Sequence, residues 1–381
     1  MARKTMLPYG LHWIDEDDIQ AVAEVLRSDW ITTGPKVAEF EQKVADYCGA
    51  KYAVAMSGAT AGLMAACKVA GVGLGDDVIT TAVTFVASAA AAAHLGARPV
   101  LADIESDTLN IDPCDVACKM RRWTKAIIPV DLAGHPAELN EIMKIAHRNG
   151  LVVIEDAAHA LGAEFRGKRI GSIADMTVFS LHPPKILTTG EGGLVLTDNA
   201  DYAEKLRVYR HHGLVNRDMN GWEYDVEDIG YNFRLTDFQC ALGISQLKKL
   251  DFFVAKRRDI ARRYNEAFAD LKEIITPTER EYVKSVYHIY IIQLRPQMLT
   301  ADRREIFMAL RAENIGVNVH YIPLHLLTYF QREWGYRRGD FPRAEIYYDN
   351  AITLPLFPKM TDEDVQDVIE AVRKVVARYR R

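Results

Sequence analysis

Short runs of consecutive apolar residues alternate with helix-length segments from Tyr52 to about Val195: "YAVAM", "DDVITT", "RPVLAD", "KAIIPV" and "GLVVIED". Alternation of that kind predicts a mainly parallel α/β sheet, and runs apolar at every position predict strands covered by helices on both faces. Functional side chains are then expected at the carboxyl ends of the strands. Farther along, "GLVLTD" reads as another strand and residues 200–212 as a helix. The stretch "HHGLVNRDMNGWEYDVEDIGYNFRL" reads as a long irregular loop.

Residues 236–270 keep a helical apolar rhythm, predicting one long helix, bent or straight, that leaves the large unit. The remainder predicts a strand at "VYHIYIIQL", a helix from about Asp302, a strand at "IGVNVHYIP" and an amphipathic helix from Thr361. The expected division is a large domain over 1–250 and a smaller α+β domain over 251–381.

Composition narrows the class. At 381 residues, with 49% hydrophobic and 26% charged, the chain has core material for two unequal domains. A formal charge of −5 argues against a nucleic-acid-coating surface. The start, "MARKTMLPYGLHW", lacks the long apolar core of a secretory signal. The most apolar stretch, at 82–102, is broken by Thr84, Ser88, His94 and Arg98, so a cytoplasmic protein without a membrane span is expected. Cys48, Cys67, Cys114, Cys118 and Cys240 form no paired CxxC units, which points away from a disulfide framework or a metal site. The run "KRRDIARR" reads as the solvated face of a helix, and His211-His212 as part of a turn.

Three places carry candidate chemistry. In "FSLHPPKILTTGEGG", Pro183 and Pro184 stiffen the approach to Lys185, and Gly190, Gly192 and Gly193 permit a close backbone approach. An exposed loop lysine is the plain alternative. At "VVIEDAAHALG" an apolar strand ends in Glu155-Asp156, followed by His159; Asp156 is either a carboxylate at the sheet edge or a helix N-cap. At "SGATAGLMAA" small and hydroxyl-bearing residues open a helix whose first N–H groups, with Thr60, suit a phosphate. A loop lysine, a strand-end aspartate and a phosphate-type helix start together match what pyridoxal 5'-phosphate requires: an amine for the imine, an acid for the pyridine nitrogen and a cradle for the phosphate.

Six blocks, in order and spacing, carry a resemblance to a known family: "DWITTGPKVAEFEQKVADYCGAKYAV", "DVITTAVTFVASAAAAAHLGARPVLADI", "EDAAHALGAEFRGKRIGSIADMTVFSLHPPK", "TTGEGG", "GYNFRLTDFQCALGISQLKKL" and "IGVNVHYIPLH". The chain resembles the DegT/StrS sugar-nucleotide aminotransferases, of the fold-type I, aspartate aminotransferase-like superfamily. The resemblance implies an α/β large domain with a mainly parallel, seven-stranded sheet. It implies Lys185 as the residue that holds pyridoxal 5'-phosphate covalently and Asp156 as partner of the pyridine nitrogen. Phe85 would lie against the ring and His159 near its phenolic oxygen, with Gly58, Ala59, Thr60 and Ser180 at the phosphate. Asn232 is similar to an asparagine that reaches the phosphate from a neighbouring subunit, which implies a homodimer with shared sites.

Within the family, "HALGAEFRGKRIGS", "SLHPPK" and "VNVHYIP" look most like transaminases of the pseudaminic acid pathway. The implied substrates are L-glutamate and a UDP-linked 4-keto-6-deoxy-N-acetyl sugar bordered by Tyr9, Trp30, Ile31, Thr32, His320 and Tyr321. Core packing is the alternative for Trp30 and Tyr321. Amination of another dTDP- or GDP-linked keto-sugar, or a non-catalytic regulator on the same fold, are the rival readings. Two departures stand out: "SGAT" where many relatives have Asn-Ser-Ala-Thr, and an extra proline in "HPPK". Related sugar dehydratases replace the lysine by histidine; His182 lies three residues too early to be that replacement.

Overall fold

A computed structural model of the chain describes residues 3–216 and 222–381. The apolar runs form β1 (Tyr52–Met56), β2 (Asp77–Thr81), β3 (Arg98–Ala102), β4 (Thr124–Ile128) and β5 (Val152–Asp156). After two short strands, β6 (Glu164–Phe165) and β7 (Lys168–Arg169), come β8 (Met176–Ser180) and β9 (Gly193–Thr197). Seven of these make one sheet in the order β1-β9-β8-β5-β4-β2-β3. β3, β2, β4, β5 and β8 pair in parallel, whereas β9 runs antiparallel to both its neighbours. The mainly parallel seven-stranded sheet expected from the sequence is therefore present, with one reversed strand that the apolar pattern does not announce.

Alternate residues of each strand enter different cores. Ala53 and Ala55 pack toward α2 (Pro35–Cys48) and α6 (Leu139–Arg148). Val54 and Met56 pack toward α3 (Ala59–Val69), α4 (Ala87–Ala93) and α7 (Ala200–Arg210). This period of two, with both faces covered, is why the runs lack polar positions. The remaining flanking helices are α1 (Glu16–Leu26) and α5 (Pro113–Lys119).

The expected long helix is two: α8 (Asp237–Leu247) and α9 (Leu250–Phe268). At the break, Lys249 turns its amine to Asp15 at 2.6 Å and to the buried Asp18 at 2.8 Å, tying the junction to α1. α9 joins two cores: Leu250 and Val254 belong to the sheet's, whereas Ile260, Tyr264 and Phe268 belong to a second. The run "KRRDIARR" is not wholly solvated, because Arg257 within it is 1% exposed.

The second core lies under β12 (Ile274–Ile275), β14 (Tyr290–Leu294) and β15 (Ala351–Leu354), flanked by α10 (Arg303–Ala312) and α13 (Asp362–Tyr379). α11 (Thr328–Trp334) and α12 (Pro342–Asn350) complete this part, and β13 (Val283–Lys284) pairs with β6. The segment "IGVNVHYIP" is not a strand. Its pairing is limited to isolated bridges, Ile315 with Leu7 and Asn318 with Thr353, because it threads between the N-terminal segment and β15 without matching either for long.

The stretch read as an irregular loop contains a two-stranded ribbon, β10 (Leu214–Asn216) with β11 (Tyr224–Val226). The middle of that stretch, 217–221, lies outside the described residues.

Candidate active site

The reversed strand decides where the lysine sits. Because β9 returns beside β8, residues 181–192 form a loop closed at both ends by sheet, at the carboxyl edge of the parallel strands. Leu181 donates its N–H to Gly192 O at 2.9 Å and accepts from Thr189 N–H at 3.1 Å. Within the loop, Lys185 N–H bonds His182 O at 2.9 Å. Gly190 adopts φ +81°, a left-handed conformation that glycine reaches without strain. A Cβ on Gly193 would stand 2.5 Å from the carbonyl carbon of Gly58 and 2.6 Å from Ala59 N, so β9 and the start of α3 meet backbone to backbone.

Lys185 lines a cavity of 340 Å³ shared with Asp156. Among the described residues no hydrogen bond or ion pair holds its amine. Burial pushes the amine down to about 8, opposed by the negative field of Asp156. Asp156 is buried at the end of β5 and held on both oxygens: Oδ2 accepts from Ser88 Oγ at 2.6 Å, Oδ1 from Ala158 N–H at 3.2 Å. No helix starts after it, so the N-cap alternative is not realised. Burial raises its pKa, while Ser88, the Ala158 amide and Lys185 pull it back.

The phosphate-type feature stands at the same cavity. α3 begins with Gly58 as N-cap and has no side-chain cap, so the first N–H groups, at Ala59, Thr60 and Ala61, lack helical partners. The first helical bond runs from Gly62 N–H to Gly58 O at 3.0 Å. Gly58, Ala59, Thr60 and Ser180 all face the cavity.

The opposite wall is aromatic. Phe85 leaves 58% of its surface exposed there, its ring 6.0 Å from that of Tyr321. His159 Nδ1 accepts the Ala133 N–H at 3.3 Å, so the ring proton sits on Nε2 and is donated to Tyr321 Oη, 3.1 Å away. Tyr321 thereby keeps its own hydroxyl proton for the cavity. Burial and the Lys185 charge depress His159 well below its ordinary value; it is neutral. Tyr9 rests against His320, whose Nδ1 lies 2.9 Å from Thr353 Oγ1.

Eleven of the residues singled out in the sequence thus line one cavity: Tyr9, Gly58, Ala59, Thr60, Phe85, Asp156, His159, Ser180, Lys185, His320 and Tyr321. Four do not. Trp30, Ile31 and Thr32 are exposed on the segment before α2, so Trp30 is not core packing. That segment is pinned to the start of α8: Asp237 N–H bonds Ile31 O at 3.0 Å, and Thr32 bridges Thr236. The same turn of α8 reaches the cavity rim, since Gln239 Nε2 bonds Glu191 O at 2.9 Å. Asn232 is exposed beside His211 and is not among the residues that line the cavity.

Two contributors escaped the sequence reading. In the sequence Ser88 shows only as a polar break in an alanine-rich stretch, and His288 only as part of a strand. The ring of His288 lies 4.4 Å from that of His159 and lines the cavity.

The residues fit pyridoxal 5'-phosphate. An uncapped helix start suits the phosphate, a held carboxylate suits the ring nitrogen, an exposed aromatic face suits the ring, and the amine has no competing partner.

The chain matches the DegT/DnrJ/EryC1/StrS aminotransferase family over residues 12–373. It is 43% identical to the spore coat polysaccharide biosynthesis protein SpsC of Bacillus subtilis, over 98% of each chain. Among solved structures it is similar to PseC of Helicobacter pylori, an aminotransferase involved in the biosynthesis of pseudoaminic acid. That match has TM-score 0.94 and 32% identity, over 98% of this chain and 100% of the other. The PLP form of the putative sugar aminotransferase Spr1654 from Streptococcus pneumoniae matches with TM-score 0.93 and 34% identity, over 98% and 99%.

Proposed function

Because the chain belongs to the DegT/DnrJ/EryC1/StrS aminotransferase family, and so is a pyridoxal 5'-phosphate-dependent sugar aminotransferase, we propose that it moves the amino group of L-glutamate to C4 of a UDP-linked 4-keto-6-deoxy-N-acetylhexosamine. The observation that carries the reading is the unpaired Lys185 amine in one cavity with the doubly held Asp156. The likeness to PseC supports the choice of sugar.

Pyridoxal 5'-phosphate, when bound, supplies the electron sink that lets an amine nitrogen leave one carbon skeleton and join another. The chain's residues do the rest. Asp156, immobilised by Ser88 and Ala158, would hold a proton on the ring nitrogen. Lys185 Nζ, whose pKa burial brings down to about 8, can give up its proton close to neutral pH and would then take the proton from the amino donor's α-carbon and deliver it onward. The first N–H groups of α3, with Thr60 and Ser180, would hold the phosphate. Tyr9, His320 and Tyr321 would form the wall toward the sugar, with His320 brought down to about 4 by burial.

A second copy of the chain completes this reading. Asn232 does not line its own cavity, and Trp222, Tyr224 and Ile229, in and beside β11, are each about seven-tenths exposed. A homodimer would cover these rings and bring Asn232 to the partner's phosphate site; Trp30, Ile31 and Thr32, exposed near the rim, would meet the sugar there. Residues 1–250 form the cofactor domain and 251–381 the smaller one in this proposal, and the compartment is the cytoplasm. Among the described residues no helix is long and apolar enough to cross a membrane.

The deciding experiment incubates the purified protein with glutamate and a panel of UDP-, dTDP- and GDP-linked 3-keto and 4-keto sugars. Mass spectrometry should show the 4-amino product only, or fastest, with the UDP-linked N-acetyl sugar. Preference for a 3-keto or dTDP-linked sugar would overturn the substrate while leaving the reaction class intact.

A further inference from the structure

We propose that Asp131 and Glu155 share a single proton, and that the pair so joined is the positioning support which holds Asp156 in line for its role. The proposal rests on the reading of Asp156 as partner of the cofactor's ring nitrogen. Three carboxylates meet at the carboxyl ends of β4 and β5. Asp156 has donors for both of its oxygens and Lys185 nearby. Asp131 and Glu155, both wholly buried, have one donor each: Ala137 N–H reaches Asp131 Oδ1 at 2.9 Å, and Thr177 Oγ1 reaches Glu155 Oε2 at 2.7 Å. Their other oxygens, Asp131 Oδ2 and Glu155 Oε1, find no partner among the described residues.

The layout makes these two oxygens each other's answer. Glu155 stands in register with Thr177 of β8 on one side, and Asp131 follows β4 on the other. A hydrogen bond between them would have Asp131 as the protonated member, because burial drives its pKa well above the ordinary carboxylate range and drives Glu155 up to about 7. Two bare anionic oxygens left facing in a dry interior would be costly, and one proton between them satisfies both. No cation does so, because no lysine, arginine or histidine forms an ion pair with either residue among those described. The other ionisable groups facing the pair are Asp156 on Glu155's own strand and the buried Cys48 thiol of α2.

The support reaches Asp156 through the backbone. Asp131 N–H donates to Asp156 O at 3.1 Å, and Asp156 N–H donates to Pro129 O at 2.8 Å, so the residue on one side of the shared proton clamps the strand end that carries the functional acid. Holding one proton, the pair bears one negative charge; losing it would set a second beside Asp156.

Infrared spectroscopy of the cofactor-free protein tests the proton directly. A deuterium-sensitive carbonyl stretch of a buried carboxylic acid is expected in the parent near neutral pH and should vanish in Asp131→Asn. Loss of the Asp131 carboxyl in Asp131→Ala, which leaves Glu155 without its partner and frees the turn that carries the Asp131 N–H, should lower kcat at least ~10-fold through misplacement of Asp156, with Asp131→Asn restoring most of it. In the parent, kcat should fall on an alkaline limb as the pair loses its proton, and Asp131→Asn should lack that limb. Absence of the band, its persistence unchanged in Asp131→Asn, or superimposable pH profiles of parent and Asp131→Asn would overturn the proposal. None of these bears on whether the chain aminates a sugar.

Discussion

At the scale of single residues, the lysine's environment makes the strongest claims. Its amine lies near 8 because burial disfavours the charge, so the neutral fraction grows as pH rises through that value. Cofactor-free protein should therefore recombine with pyridoxal 5'-phosphate faster as pH is raised through about 8 and level off above it, measured by the appearance of cofactor absorbance. Lys185→Ala should lower turnover of keto-sugar with glutamate by at least ~10³-fold, since it removes both the attachment point and the proton carrier. Lys185, Asp156 and Thr60 were legible because each sits where an apolar run ends and local chemistry changes. Ser88 and Asp131 were not, because what matters about them is a distant partner: Ser88 bonds the Asp156 carboxylate, 68 positions away, and Asp131 ties its backbone N–H to the carbonyl of the same residue. Arg257 was misread for the same reason: it spends its donors on the carbonyls of His288 and Leu356, at 2.9 and 3.0 Å, contacts that helical periodicity cannot show.

Among the elements, the contact of β9 with the start of α3 is the most exposed to test. Gly193→Ala would drive a methyl group into the Gly58–Ala59 peptide, and relief requires moving the helix start that serves as the phosphate cradle. Overpacking of this kind costs about 1–3 kcal/mol. Equilibrium binding should show weakened affinity for pyridoxal 5'-phosphate beyond any loss in the melting temperature of the cofactor-free protein. Strands were legible from their continuous apolar runs, and α13 from its amphipathic pattern and Thr361 cap. The α8–α9 break and the irregular path of "IGVNVHYIP" were not, since both are set by distant segments, α1 in one case and Leu7 with Thr353 in the other.

For the molecule as a whole, the absence of Asn232 from the lining of its own cavity yields a prediction about assembly. If each site takes its asparagine from the other copy, Lys185→Ala and Asn232→Ala chains, each impaired alone, should regain activity on mixing, because a mixed dimer holds one site with both residues intact. Size-exclusion and activity measurements on the mixture check this; recovery should be absent if Asn232 acts within its own chain. Trp222→Asp with Ile229→Asp should loosen the proposed dimer, by about 100-fold if these two side chains anchor the interface. The parallel sheet was legible as a class, but the direction of β9 was not, since an apolar run reads the same either way.

That reversal has a thermal corollary. A loop whose two ends are adjacent rungs of the central sheet cannot melt ahead of it: Leu181 and Gly192 are bonded across the loop's base, and the strands beyond them pair from Ser180–Gly193 to Thr177–Leu196. Heating should therefore abolish catalysis and ellipticity at one common midpoint, rather than silencing the enzyme while its fold persists.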